Sequence, residues 1–248
     1  MEFLGIIPAR YDSTRFPGKP LVDIKGKTMI RHVYEKASEA LTDVVVATDD
    51  QRIYNEVKNF GGNVVMTSPL HQSGTERCFE ALNIYSEKTN KKYTVVINIQ
   101  GDEPFIKPEQ ISLLRSCFKD ITTQIATLIK KVDSNEEIFN PNKPKVVINS
   151  KDEAIYFSRS PIPYIRNSNK EDWSNNHIFF KHIGIYAYHI DALKEITQLP
   201  KSTLEEVESL EQLRWIENGY KIKVAETDYE SISIDTREDL EQLLKFLN

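Results

Sequence analysis

The chain has 248 residues, 40% of them hydrophobic and 28% charged, with a formal net charge of -5; this is the make-up of a water-soluble enzyme long enough to bury a sizeable core. The acidic balance, with no run of Lys and Arg, argues against nucleic acid as a main partner, and no apolar stretch approaches the length of a membrane span. Only two cysteines are present, Cys78 and Cys117, each inside an amphipathic segment, so buried thiols in a reducing compartment are expected rather than a disulfide or a metal site.

Leu4 to Ile7 is the short apolar run of a buried strand. It begins so close to Met1 that no signal sequence is expected, which points to the cytoplasm. The strand gives way at Pro8 to a loop holding Arg10, Arg15 and Lys19, punctuated by Pro17, Gly18 and Pro20. Cations on a loop at the carboxyl end of a strand stand where ligands bind in open parallel sheets, and they outline a phosphate site to which Ser13 and Thr14 add hydroxyl and amide donors. A Walker loop is excluded, because Lys19 is followed by Pro20 and not by Ser or Thr.

Strand and helix then alternate. Met29 to Ala40 reads as helix, Val44 to Thr48 as a continuous apolar strand, and Asp49 and Asp50 as caps of a helix through Ile53 and Val57 that ends at Gly61-Gly62. A short strand, Val64 to Met66, precedes a helix from Gly74 to Tyr85, and Val95 to Ile99 is a further buried strand stopped at Gln100-Gly101-Asp102-Glu103-Pro104. Units of this length favour right-handed crossovers and a parallel sheet between helices.

Beyond Ile125 the rhythm changes. Ile125 to Ile129, Lys145 to Ile148 and Ile155 to Ser158 read as strands with short connections, which suggests an antiparallel element. The polar stretch 161–177 reads as a flexible excursion, a candidate lid or subunit contact. His182 to His189 alternates as a strand, Leu204 to Glu217 reads as one helix, Lys221 to Ala225 as a strand, and Thr236 to Leu247 as a closing helix capped by Asp235 or Thr236. The economical reading is one α/β domain over 1–248, with a nucleotide-binding half of about 1–125 and a sugar-binding and dimerisation half of about 126–248.

Asp102 and Asp235 each end an apolar strand-like run, where a carboxylate reaches a metal held by phosphates; Asp102 reads equally as turn chemistry and Asp235 as an N-cap. His71 to Arg77 opens a helix whose free amides suit an anion or the carbonyl edge of a base, yet Ser73 and Glu76 also make a capping box that needs no ligand. Spacing alone does not single out Arg159, His182, Tyr186, Glu211 or Gln212.

Taken in order, IIPARYDSTRFPGKPL, HQSGTER, INIQGDEPFI, FSRSPIPYIR, KHIGIYAYH, LEEVESLEQLRWIENG and IDTREDL closely resemble the CMP-Kdo synthetases, the 3-deoxy-manno-octulosonate cytidylyltransferases. The resemblance runs from Ile6 to Leu240. It implies a mostly parallel central sheet flanked by helices, of the nucleotide-diphospho-sugar transferase type, with a smaller antiparallel substrate and dimerisation element. It also implies a Mg2+-dependent reaction of CTP with Kdo, giving CMP-Kdo and pyrophosphate for lipopolysaccharide biosynthesis, in a cytoplasmic homodimer without nucleic-acid or membrane partners.

Position by position, Arg10, Ser13, Arg15 and Lys19 match the family's triphosphate loop, and Ser73, Gly74, Arg77 and Gln100 its cytidine contacts. Asp102 and Asp235 match its metal ligands, and with Arg10 and Lys19 they make the catalytic set. Arg159, Arg166, His182, Tyr186, Glu211 and Gln212 match the residues that hold the sugar acid. Two departures stand out: Thr28 replaces a common Pro, and Asp12 puts a carboxylate inside the cationic loop. Rival readings are a cytidylyltransferase for the 8-amino analogue of Kdo or for a sialic acid, and a non-catalytic sensor on the same fold.

Overall fold

The computed structural model describes residues 1–12, 15–230 and 233–246, with residue 246 described for its backbone only. The chain forms two compact units, Leu113–Glu230 and the remainder, so the C-terminal segment carrying Asp235 belongs with the first unit and not with the second half of the chain.

In the first unit, β1 (Phe3–Ala9) leads through a small hairpin, β2 (Asp23–Ile24) and β3 (Lys27–Thr28), into α1 (Met29–Ala40). The alternation continues as β4 (Val44–Thr48), α2 (Gln51–Asn59), β5 (Val64–Met66), α3 (Gly74–Thr89) and β6 (Val95–Asn98). β1 lies parallel between β6 and β4, and β5 lies parallel outside β4. Every residue of β4 and β6 is buried, as parallel strands covered on both faces require. The parallel sheet expected from the alternation is therefore present, with strand ends and caps close to those read from sequence: Asp50 accepts from Arg52 N–H to cap α2, and Ser73 accepts from Glu76 N–H to cap α3.

The C-terminal helix Arg237–Phe246 docks through Leu243, which with Ile234 joins Phe16, Ile24 and Met29 in a cluster beneath the loop that follows β1. Thr236 is its cap: its hydroxyl accepts from Asp239 N–H at 3.2 Å, and the Asp239 carboxylate accepts from the N–H groups of Asp235 and Thr236.

The chain passes into the second unit within α4 (Pro108–Cys117). There β7 (Ile125–Lys131), α5 (Asn135–Phe139), β8 (Lys145–Ile148), β9 (Ala154–Ser158), α6 (Trp173–Asn176), β10 (Phe180–His189), α7 (Ile190–Ile196), α8 (Thr203–Glu208), α9 (Gln212–Glu217) and β11 (Ile222–Glu226) follow in order. β7 pairs with β10 antiparallel and with β11 parallel, and β8 pairs antiparallel with β10 and β9, which is the expected antiparallel element.

Two expectations are corrected here. The single helix over Leu204 to Glu217 is two helices, because Ser209 adopts the left-handed conformation (φ 52°) that terminates α8. The polar excursion 161–177 is not loose: Trp173 is 1% exposed and packs against Ile138 and Phe179, with Phe139 and Tyr164 around its ring. Both cysteines are buried and unbridged, and burial pushes the Cys117 thiol up to about 11, so it stays protonated. No helix among the described residues is long and apolar enough to cross a membrane.

Candidate active site

The loop after β1 is shaped by its own residues. Gly18 sits at φ 75°, its N–H donates to the Tyr11 carbonyl at 2.9 Å, and a Cβ there would meet the Tyr11 ring at 3.1 Å, so this closure needs glycine. Arg52 stacks over the other side of the system, its guanidinium carbon 3.2 Å from the centre of the Tyr11 ring. The turn after β6 comes equally close. A Cβ on Gly101 would stand 2.8 Å from the Pro8 carbonyl oxygen, so glycine is what lets this turn pack against the end of β1.

Lys19 Nζ, 13% exposed, lies 2.7 Å from Asp102 Oδ2 and 3.2 Å from Asp235 Oδ1, and Arg15 Nη2 reaches the same Asp235 oxygen at 3.0 Å. Asp102 and Asp235 are tied by the backbone as well, since Ile234 N–H donates to the Asp102 carbonyl at 3.0 Å. These groups, with Arg10, Asp12 and Gln100, line a cavity of about 380 Å³. Ser13, expected in the same loop, lies outside the described residues. Asp235 is not the helix cap, because Thr236 fills that role, and its carboxylate is left for the cations.

The residues expected to contact the base divide into two kinds. Ser73 and Gly74 open α3, with Gly74 beside Pro8 and Asn98. Arg77 is different: only 1% exposed, it donates to Thr67 Oγ1 and to Asp49 Oδ2, each at 2.6 Å, and so clamps the ends of β4 and β5 to α3. Sequence reading took Asp49 for a cap and passed over Thr67; both stand directly after a strand, the position that flagged Asp102.

In the second unit Arg159 follows β9. Its Nε donates to the Glu208 carbonyl at 2.6 Å, Nη1 to the Pro141 carbonyl at 3.0 Å and Nη2 to the Ser209 carbonyl at 3.2 Å, which leaves two of its five N–H groups for a ligand. His182 and Tyr186 flank a β-bulge in β10, and His182 Nε2 meets Thr127 Oγ1 at 3.0 Å. Burial pushes the His182 imidazole down to about 3, so it is a neutral hydrogen-bonding group at physiological pH.

Tyr186 packs edge-on to Trp215, with ring centroids 5.1 Å apart. The Tyr186 hydroxyl, Gln212 Nε2 and Trp215 Nε1 are buried and have no hydrogen-bond partner among the described residues. Three orphaned donors in one neighbourhood are costly, and a hydroxyl-rich ligand would satisfy them. Glu211 is half-buried beside Gln212, and Arg166 lies exposed in the 161–177 segment. Trp215 was missed because a tryptophan on an apolar helix face reads as core. Only its unpaired nitrogen distinguishes it.

A parallel sheet that ends in a cationic loop, with two carboxylates converging on its lysine, defines a nucleotide-transferring α/β enzyme. Residues 4–222 match the family model described as cytidylyltransferase. A 3-deoxy-manno-octulosonate cytidylyltransferase of Parabacteroides distasonis is 60% identical, covering 100% of this chain and 98% of its own, and that of Thermodesulfovibrio yellowstonii is 51% identical over 100% and 99%. Among solved structures, a CMP:2-keto-3-deoxy-manno-octonic acid synthetase complexed with CTP superposes with a TM-score of 0.90 at 41% identity, covering 100% of this chain and 98% of its own. The chain belongs to the cytidylyltransferase family, among the 3-deoxy-manno-octulosonate cytidylyltransferases.

Proposed function

We propose that this enzyme joins CTP and 3-deoxy-manno-octulosonate, yielding the CMP-sugar and pyrophosphate as an activation step for lipopolysaccharide biosynthesis. The observation that carries the reading is the convergence of Asp102 and Asp235 on Lys19 beside Arg10 and Arg15. The anomeric hydroxyl oxygen of the sugar bonds to the α-phosphorus and gives up its proton to solvent, the bond from that phosphorus to the bridging oxygen breaks, and pyrophosphate leaves with the electron pair. No covalent intermediate on the chain is required.

Lys19, Arg10 and Arg15 bind the triphosphate and neutralise charge that grows on the leaving group, which is the main task in phosphoryl chemistry. Ser73, Gly74 and Gln100 hold the cytidine, with Arg77 fixing the helix start that presents them. Arg159 receives the sugar carboxylate, to which a guanidinium offers a planar fork, while neutral His182, Tyr186, Glu211 and Gln212 take its hydroxyls. Arg166 completes this set.

Asp102 and Asp235 are hard oxygen donors suited to Mg2+, which two carboxylates and substrate phosphates ordinarily hold. Among the described residues no group of three or more His, Cys, Asp or Glu could hold a metal ion. Asp102 and Asp235 would hold Mg2+, which when bound would supply charge neutralisation and acidify the attacking hydroxyl.

The enzyme is proposed to work in the cytoplasm as a homodimer, and the exposed Ile155, Tyr164 and Ile178 are apolar side chains that such a contact covers; sedimentation measures the dimer. The reaction itself is tested by pyrophosphate release from CTP and Mg2+ with Kdo, its 8-amino analogue and N-acetylneuraminic acid in parallel. Turnover with Kdo that disappears in Asp102→Asn is expected. CTP binding without turnover of any sugar overturns the reading.

A further inference from the structure

The first residue of β8, Lys145, is registered between Lys181 of β10 and Ser158 of β9, so these three side chains share one face of the sheet. Lys181 and Lys145 are both fully buried, at 1% and 0% exposure, yet their surroundings differ. Lys181 Nζ contacts both Glu137 oxygens at 2.9 Å and Glu230 Oε2 at 2.6 Å. Lys145 Nζ donates to the Asn140 carbonyl at 2.7 Å and, among the described residues, has no carboxylate within ion-pairing distance.

The acid nearest in charge, Glu208, is committed elsewhere: one oxygen accepts from the Ser158 hydroxyl at 2.6 Å and the other from Arg159 N–H at 2.9 Å. The Arg159 guanidinium in turn binds the Pro141 carbonyl. Lys145 at the start of β8 and Arg159 just after β9 therefore hold the consecutive carbonyls of Asn140 and Pro141, with the Glu208 carboxylate bound beside them to Ser158 and the Arg159 N–H. A buried surplus of positive charge is costly unless an anion joins it.

We propose that Lys145 is a positioning residue for the carboxylate of the sugar acid, adding a buried positive charge behind the half-buried Arg159 and fixing the 140–141 turn that orients the guanidinium. The inference rests on the reading of Arg159 as the carboxylate's partner. The lysine does not touch the sugar; it acts through the field, which is strong in a water-poor interior, and through the turn.

The charged groups facing Lys145 are Glu208 from α8, Arg159 from the end of β9 and Lys181 from β10, the last neutralised by Glu137 and Glu230. Burial pushes the Lys145 ammonium down to about 8; attraction from Glu208 opposes this, and repulsion from Arg159 adds a smaller push in the same direction as burial. The anion favours the protonated form, so the sugar binds best below that pH and progressively less well above it.

The test is the KM for Kdo and for CTP from pH 7 to 9.5 in the wild type, Lys145→Arg and Lys145→Met. In the wild type the sugar KM is expected to rise up to about tenfold between pH 7 and 9, levelling toward the Lys145→Met value, with no parallel rise in the CTP KM. Lys145→Met should show a raised, pH-independent sugar KM with kcat largely kept, and Lys145→Arg, always charged, a low and flat one. A flat wild-type profile overturns the proposal, as does a wild-type sugar KM in Lys145→Met; should that variant fail to fold, the wild-type and Lys145→Arg profiles decide. Arg159→Ala separates the two layers. An unchanged sugar KM there removes the carboxylate reading and this proposal with it, whereas a raised one alongside a normal Lys145→Met removes this proposal alone.

Discussion

Lys19 and Asp102 face each other at 2.7 Å, and the same ammonium reaches Asp235 at 3.2 Å. One lysine thus gathers a carboxylate from the turn after β6 and another from the segment before the C-terminal helix. The Lys19 ammonium and the Arg15 guanidinium together balance the two carboxylates, and on the proposed reading a triphosphate arriving with a divalent cation would give each a new partner.

Asp102→Asn is expected to lower turnover by about a hundredfold or more, since one of the two carboxylates proposed to hold Mg2+ at the phosphates is removed. The fold should survive, because Asp102 is part-exposed and Lys19 keeps Asp235. Pyrophosphate release and a thermal melt on the same sample check both halves. A melting point near wild type with near wild-type turnover removes Asp102 from the mechanism.

Arg77→Ala should cost stability first. The Arg77–Asp49 pair is buried on the arginine side, and removing one member of such a pair costs about 3–5 kcal/mol by leaving the other charge without its partner. Urea unfolding of Arg77→Ala and Asp49→Asn measures this. Loss of activity at unchanged stability would instead mean that Arg77 acts on the nucleotide directly.

The parts of this architecture set by local pattern were legible in the sequence. Continuous apolar runs marked β1, β4 and β6, and Ser73 and Asp50 marked helix starts, because strand burial and capping are local chemistry. Asp235 was ambiguous for the same reason: Thr236 and Asp235 are both good caps, and only the bonds of Thr236 and Asp239 release Asp235 to Lys19. What could not be read depends on distant partners. The Arg77 clamp needs two strand ends, Trp173 is held by the rings of Phe139 in α5 and Phe179 just before β10, and the break at Ser209 lies in a stretch with unbroken helical periodicity. The lack of a counter-charge at Lys145 is likewise invisible until the strands are paired.

Acid stability should depend on Glu137. Burial alone would raise its carboxyl, but hydrogen bonds from Lys143 and Lys181 outweigh that and hold it at about 2. A carboxyl depressed in the folded state contributes stability above its unfolded value of about 4.5, and that contribution is lost as pH falls from there toward 2. The shift corresponds to about 3 kcal/mol. Glu137→Gln should be less stable at pH 7 and should lose less between pH 5 and 2.5 than the wild type, as read by urea midpoints; parallel curves for the two proteins would discount the pair.

Gln212→Leu separates binding from folding by sign. Gln212 is 4% exposed and its Nε2 has no partner among the described residues, a state that costs about 1–3 kcal/mol in a folded chain. An apolar side chain of similar size removes that cost, so the variant should melt at or above the wild-type temperature. If the amide nitrogen serves a sugar hydroxyl, the same change should raise the KM for Kdo about tenfold or more while leaving the KM for CTP in place, because a site built to hydrogen-bond a hydroxyl loses that contact outright. Calorimetry on the free protein and initial rates at varied Kdo read the two effects independently. A stabilised variant with a normal sugar KM would assign Gln212 to the core, and a destabilised one would show that its amide is satisfied within the folded chain.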